Sequence, residues 1–264
     1  MVQASGKVGS TPTGTVRSVN RALEILHILS FNASSSGMSF SDLQAQSGLS
    51  KGTLHRLLKT LMLAGFVEQA AGSRVYYLGL EFLSLGERAA NRLDIREVTR
   101  PSLDRLATAT GDTVMLTIRS GLDAVCINRR VGAFPVRVLT QNIGTRRPLG
   151  IGSGSLALLA ASADEDINSV LLRIQSQLVH YPNLSVEIIR QSIADTRERG
   201  YAFNPGHVLK GMYGVGVCIH LNESPVAALS IAANYGRMNM DRRLEIVNLL
   251  KQEAAKVSSD LSTR

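Results

Sequence analysis

Cysteine is nearly absent from this 264-residue chain. Cys126 and Cys218 are too few to build a disulfide framework. Long apolar runs are missing too: no stretch approaches the roughly 18–20 residues that span a bilayer. Residues 1–15 are rich in Gly, Ser and Thr and have no apolar core, which excludes a signal peptide and predicts a disordered tail. The low hydrophobicity of an unfolded chain is also lacking, because 44% of residues are hydrophobic and 19% charged, enough apolar material for a packed core. The expectation is a soluble cytoplasmic protein with no membrane partner, its length suiting one large domain or two ordinary ones.

The residues of catalysis and metal binding lack the spacing their chemistry needs. His27, His55, His180, His207 and His220 show no H-x-x-x-H pair, and no cysteine partners them as a metal ligand would. Gly152-Ser153-Gly154 is one residue short of a G-x-S-x-G nucleophile elbow, and no Gly-Lys-[Ser/Thr] follows the glycines as in a phosphate loop. Cys218 and His220 stand two apart on one strand, which does not make them a catalytic dyad. No enzyme activity, metal or cofactor is expected.

What the chain does carry is an excess of base, 29 Lys and Arg against 21 Asp and Glu. Residues 1–80 hold seven basic and three acidic side chains, so half of the +8 lies in under a third of the chain. The local pattern gives that charge a setting. Ser18 precedes Val19, Ala22, Leu23, Leu26 and Leu29 at helical spacing, predicting a Ser-capped amphipathic helix, followed by a loop over 32–37. Ser41 is expected to cap a short helix over 42–47, and Gly48 to supply a left-handed turn with Leu49 beneath it. Ser50 then caps a third helix to about Ala64, in which Leu54, Leu57, Leu58 and Leu61 form the apolar stripe. Gly52, Thr53, His55, Arg56 and Lys59 fall away from that stripe. Residues 66–68 and 75–77 read as a hairpin that carries Arg74. Two helices joined by a Gly turn, the second basic outside, followed by a wing, make a winged helix-turn-helix. Its expected DNA contacts are Arg17, Arg21, Ser50, Lys51, Gly52, Thr53, His55, Arg56, Lys59 and Arg74.

Ser18-Val19-Asn20-Arg21-Ala22-Leu23-Glu24-Ile25-Leu26, Gly48 to Leu58, Gly65-Phe66-Val67 and Tyr77-Leu78-Gly79 resemble the IclR family of bacterial transcription regulators. The resemblance continues through Arg147-Pro148-Leu149, Leu158-Leu159-Ala160, Gly200-Tyr201-Ala202 and Ala227 to Ile231, covering about residues 17 to 261. It implies an α+β chain: a winged helix-turn-helix over residues 16–79, a linker helix over 80–94 and a GAF-like effector domain with an antiparallel sheet over 95–264. It further implies a homodimer or homotetramer on double-stranded operator DNA, and a small-molecule effector that is an organic acid or aromatic metabolite. The chain departs from the family's usual Gly-Lys-Ala at Ser155-Leu156-Ala157, and Asn204-Pro205-Gly206-His207 stands where the family has acidic residues.

The second half gives its own reasons for a pocket. Pro101 is placed in the first turn of a helix ending at Gly111, after which residues 113–118, 124–128 and 136–139 alternate as strands. Further helices are expected at 155–161, 186–199 and 241–261, and strands at 215–221 and 226–232. Each of the last two strands has a bulky face and a face of small groups: Gly216, Cys218 and His220 on one, Ala228, Ser230 and Ala232 on the other. If an odd-length connection makes these faces coincide, Cys218 and Ser230 share the floor of a hollow. Gly150-Ile151-Gly152-Ser153-Gly154-Ser155, before an apolar helix, offers backbone N–H groups to an anion. The expected effector contacts are Ser153, Gly154, Ser155, His207, Cys218 and Ser230, with Arg137, Arg146 and Arg147 as further carboxylate partners.

Overall fold

In the computed structural model, residues 16–31, 37–70, 72–90, 95–135 and 141–263 are described. The chain divides into two compact units, Met1–Arg92 and Leu93–Arg264.

In the first unit, α1 (Arg17–Phe31) starts one residue before Ser18, so Ser18 lies inside the helix and does not cap it. Its buried stripe also differs from the expected one. Ile25 and Leu29 enter the core with Ala22, Leu26 and Ile28 beside them, whereas Val19 (53%) and Leu23 (49%) stay exposed. A short strand β1 (Met38–Ser39), not foreseen in the sequence, pairs with β3 (Val75–Leu78). That pairing holds Ser39 extended, and Ser39, not Ser41, caps α2 (Phe40–Ser47) by accepting from the Asp42 N–H. Gly48 ends α2 at φ 64°, the left-handed geometry that glycine adopts without strain. Ser50 caps α3 (Lys51–Leu63), whose Leu54, Leu58 and Leu61 are buried. The wing is the antiparallel hairpin of β2 (Val67–Gln69) and β3, and α4 (Glu81–Ala90) follows, with Phe82 edge-on to Phe66. The remainder of the expected linker helix, the 1–15 tail and most of the 32–37 loop lie outside the described residues.

The second unit is built on an antiparallel sheet ordered β6-β5-β4-β9-β8-β7. Its strands are β4 (Thr113–Ser120), β5 (Asp123–Arg130), β6 (Arg146–Pro148), β7 (Ala202–Asn204), β8 (Met212–Leu221) and β9 (Ser224–Asn234). The bulky face, with Val114, Leu116, Val215, Val217, Leu229 and Ile231, packs on α5 (Ile95–Thr110) and α9 (Met240–Ser262). The opposite face is covered by α6 (Ser153–Ala160), α7 (Asp164–Ile174) and α8 (Val186–Arg199). β6, β7 and α7 were not anticipated, and the expected strand at 136–139 lies outside the described residues.

Pro101 sits in the interior of α5 and not in its first turn. The helix runs back to Ile95 because Ile95, Val98 and Thr99 are buried against the sheet, which outweighs the backbone hydrogen bond that proline cannot donate. β8 and β9 join through a two-residue turn, Asn222-Glu223, with φ of 49° and 65°. A bulge between Ile219 and His220 shifts the register by one, so the hairpin body pairs as an odd-length connection would pair it. Gly214 faces Ala232, Gly216 faces Ser230 and Cys218 faces Ala228.

Candidate nucleic-acid interface and effector cavity

The stripe of α3 turns Lys51, Gly52, His55, Arg56 and Lys59 to solvent. The Ser50 hydroxyl accepts from the Thr53 N–H and lies 2.9 Å from the Thr53 hydroxyl, so its first task is holding the helix start. Gly52 is not required by the fold: its φ is not positive, and a Cβ there meets nothing within 4 Å. Arg74 is exposed on the wing. Arg17 and Arg21 of α1 join Thr53, Arg56 and Leu57 of α3 around a cleft of about 460 Å³.

Charge pairing separates the two units. Every ion pair among the described residues lies between residues 97 and 253. None involves Arg17, Arg21, Lys51, His55, Arg56, Lys59 or Arg74. The second unit neutralises many of its arginines internally, and among the described residues no such pair forms in the first.

In the second unit the coinciding small faces of β8 and β9 do not form one hollow, because α6 starts on top of them. A Cβ on Gly216 would lie 2.6 Å from the Ser153 carbonyl oxygen, and one on Gly214 would lie 2.8 Å from the Ser153 hydroxyl oxygen. The first turn of α6 therefore divides the space. On one side is a cavity of about 40 Å³ bordered by Met115, Thr117, Arg147, Ser153, Gly154, Met212 and Ser230 among others. On the other is an open hollow of about 420 Å³ beside Ala202, Cys218, His220 and Lys251.

Three expected effector residues, Ser153, Gly154 and Ser230, meet in the small cavity. Ser155 also borders it, but its hydroxyl already accepts from the Gly150 N–H at 2.8 Å. Cys218 lies apart from them: it lines the other hollow, donates weakly to the Ala227 carbonyl, and burial pushes its thiol up to about 12. His207 lies apart as well. It borders a separate crevice with Gly150, Leu156 and Phe203, and burial lowers its pKa, favouring the neutral ring over the cation expected beside an acid. Arg146 is held by Asp123 at 3.0 Å, and Arg137 lies outside the described residues.

Arg147 takes the place those residues leave. It projects from β6 to the cavity, and burial lowers its pKa although it stays a cation. Thr117 and Met115 were missed as site residues. They lie on β4 opposite the Val114 and Leu116 face, so the same alternation that marked the core marked them. Thr117 and Ser230 are buried, and a Cβ on Gly154 would sit 3.2 Å and 3.0 Å from their hydroxyl oxygens.

A winged helix-turn-helix with an unpaired basic face, followed in one chain by a sheet domain that carries a polar cavity, is the plan of an effector-binding transcription regulator. Residues 18–71 match the IclR helix-turn-helix domain, and residues 87–259 match the bacterial transcriptional regulator IclR C-terminal domain. The chain belongs to the IclR family. It is 32% identical over 226 residues to the HTH-type transcriptional regulator XynR of Escherichia coli, covering 85% of this chain and 88% of that protein. The crystal structure of an IclR transcriptional regulator from a Silicibacter species is similar with a TM-score of 0.78 and 26% identity, covering 93% of this chain and 96% of that one. An IclR homologue from Microbacterium hydrocarbonoxydans, solved in complex with 4-hydroxybenzoate, shares the fold with a TM-score of 0.76 and 22% identity, covering 94% and 100%. Among the described residues, no helix is long and apolar enough to cross a membrane, and no group of His, Cys, Asp and Glu is arranged to hold a metal.

Proposed function

We propose that this protein is a cytoplasmic homo-oligomeric regulator that binds a pseudo-palindromic operator and changes its operator affinity when a small organic acid enters the cavity beside Arg147. The boundaries read from the sequence serve this division of labour: residues 16–79 bind DNA, 80–94 link, and 95–264 sense. The observation that carries the ligand class is Arg147, a cation turned to a cavity bordered by the hydroxyls of Thr117, Ser153 and Ser230. A carboxylate can form an ion pair with Arg147 and accept hydrogen bonds from those hydroxyls. The cavity is partly open, and its inner space of about 40 Å³ has room for roughly two or three waters, which favours a short acid over an aromatic one.

Assembly is supported by apolar surface left on the first unit. Val16, Val19 and Leu23 follow one another at helical spacing on or beside α1 and are exposed, as are Leu83 and Leu85 on α4. A second copy of the chain is the partner that buries such surface, and a two-fold dimer presents two α3 helices to a two-fold site.

Thermal shift of the wild type and Arg147→Leu against two- to four-carbon carboxylates and 4-hydroxybenzoate tests the ligand reading. A short acid at 100 times its Kd should add about 2.7 kcal/mol to wild-type stability and leave Arg147→Leu unmoved. No response to any acid, or an equal response from the variant, contradicts it.

A further inference from the structure

The cleft between α1 and α3 has a composition that solvent alone does not explain. Arg17 and Arg21, one turn apart on α1, and Arg56 of α3 line it together with Val16, Ser18, Thr53 and Leu57. No acidic residue is among these, and the first turn of α1 carries none. Glu24, further along the same face of α1, does not line the cleft and forms no ion pair among the described residues. Arg17, Arg21 and Arg56, from two helices, thus border a space of about 460 Å³ with no acidic side chain among its described lining residues, in a chain whose other arginines are repeatedly paired with carboxylates.

Arg56 belongs to this cleft by the company it keeps: it shares the lining with Arg17 and Arg21, which stand on another helix. At about 100° per residue, Gly52 stands opposite the leucine stripe, with Lys59 and Arg56 about 30° to either side of that line. Lys51 and His55 lie on one flank, while Arg56 and Thr53 lie on the other, toward Leu57. That is the flank facing Arg17 and Arg21, since Thr53, Arg56 and Leu57 are the α3 residues of the cleft. Arginines gathered from two helices converge on a phosphate, which fixes position and register, whereas sequence is read by side chains that reach base edges.

We propose that Arg17, Arg21 and Arg56 form a clamp for one backbone phosphate of the operator, and that Arg56 positions the protein on DNA without reading a base. The inference rests on the operator-binding reading above. The clamp fixes the register of α3 in the groove, leaving Lys51, Gly52, His55 and Lys59 to meet base edges.

The test is equilibrium binding of wild type, Arg17→Ala, Arg21→Ala, Arg56→Ala and Arg56→Lys to two duplexes over a range of salt. One duplex is the chain's own upstream intergenic DNA, the other a random sequence of equal length. Each Ala variant should weaken both duplexes by the same factor and lower the salt slope by at most about one, the contribution of one phosphate, while Arg56→Lys keeps the slope. A series of upstream duplexes with one neutral methylphosphonate at successive positions should reveal one position per half-site where wild-type binding falls and the three Ala variants bind no worse than wild type. Loss of preference between the duplexes in Arg56→Ala would make it a base reader and overturn the clamp. Unchanged binding by the variants, or no common methylphosphonate position, overturns it as well. A wild type that prefers neither duplex sinks the operator reading itself, which the variants' behaviour distinguishes from failure of the clamp alone. Unchanged melting temperatures certify that the variants, all at exposed or cleft-lining side chains, remain folded.

Discussion

Ser153 and Gly216 touch at the point where α6 meets the sheet: a Cβ on Gly216 would stand 2.6 Å from the Ser153 carbonyl oxygen. The contact is with backbone, so no side-chain rotation relieves it. Gly216→Ala should therefore push the first turn of α6 off β8 and destabilise the second unit by about 1–3 kcal/mol, the usual cost of overpacking. Denaturant unfolding measures it. Because that turn also borders the Arg147 cavity, the variant should lose its response to the acid as well.

Gly52→Ala is the converse. A Cβ at Gly52 meets nothing, and alanine favours the helix over glycine by up to about 1 kcal/mol. The variant should be slightly more stable than wild type but bind upstream DNA less tightly, because the added methyl stands in the middle of the face that approaches the bases. Tighter or equal DNA binding would show that the glycine serves no close approach.

Asp112 is the most committed charge in the second unit. Its side chain is 3% exposed and receives Arg237 at 3.1 Å and Arg242 at 2.7 Å, both of which also donate to the Thr110 carbonyl. Asp112→Ala leaves two partly buried cations without their carboxylate and should cost about 3–5 kcal/mol, read from chemical denaturation.

The two thiols should be slow to react. Burial pushes Cys126 up to about 11 and Cys218 up to about 12, so little thiolate exists at neutral pH. Iodoacetamide should label neither residue quickly in the folded protein and both after unfolding, with intact mass as the readout. Rapid labelling of Cys218, quenched by the acid that raises the melting temperature, would return it to the effector site.

Acid sensitivity follows from two carboxylates. The Arg105 guanidinium, bonded to both oxygens of Glu253, holds that carboxyl below the ordinary range, and Arg119 does the same for Asp166. A carboxylate with a lower pKa folded than unfolded stabilises the fold above its unfolded pKa and loses that contribution as pH falls through the folded value. Stability from these pairs should hold down to about pH 5 and decline below about pH 4. Glu253→Gln and Asp166→Asn should each flatten that decline in a pH series of denaturant midpoints.

The sequence was most informative where one local rule decided the structure. Ser50, the Leu54 to Leu61 stripe and Gly48 predict α3 and the turn before it, since cap, periodicity and left-handed glycine agree there. The pairing of small faces on β8 and β9 was also legible from alternation. What failed depended on partners distant in sequence. The interior Pro101 is tolerated because Ile95 and Val98 find the sheet, and Ser39 caps α2 because β1 finds β3. Cys218 was grouped with Ser230 from strand alternation alone, and nothing local in the sequence says that Ser153 descends on Gly216 between them. Arg147 is one of three similar arginines in the sequence, and only the fold brings it to the cavity.

The measurement that bears most directly on the whole account is the affinity for the chain's own upstream intergenic duplex and for a random duplex, at one fixed salt concentration, with and without the short acid found by thermal shift. The account predicts a preference for the upstream duplex of at least about a thousandfold, and a change of about 5- to 150-fold in that affinity when the acid is present. Equal affinity for the two duplexes, or an upstream affinity that the acid leaves untouched, contradicts it.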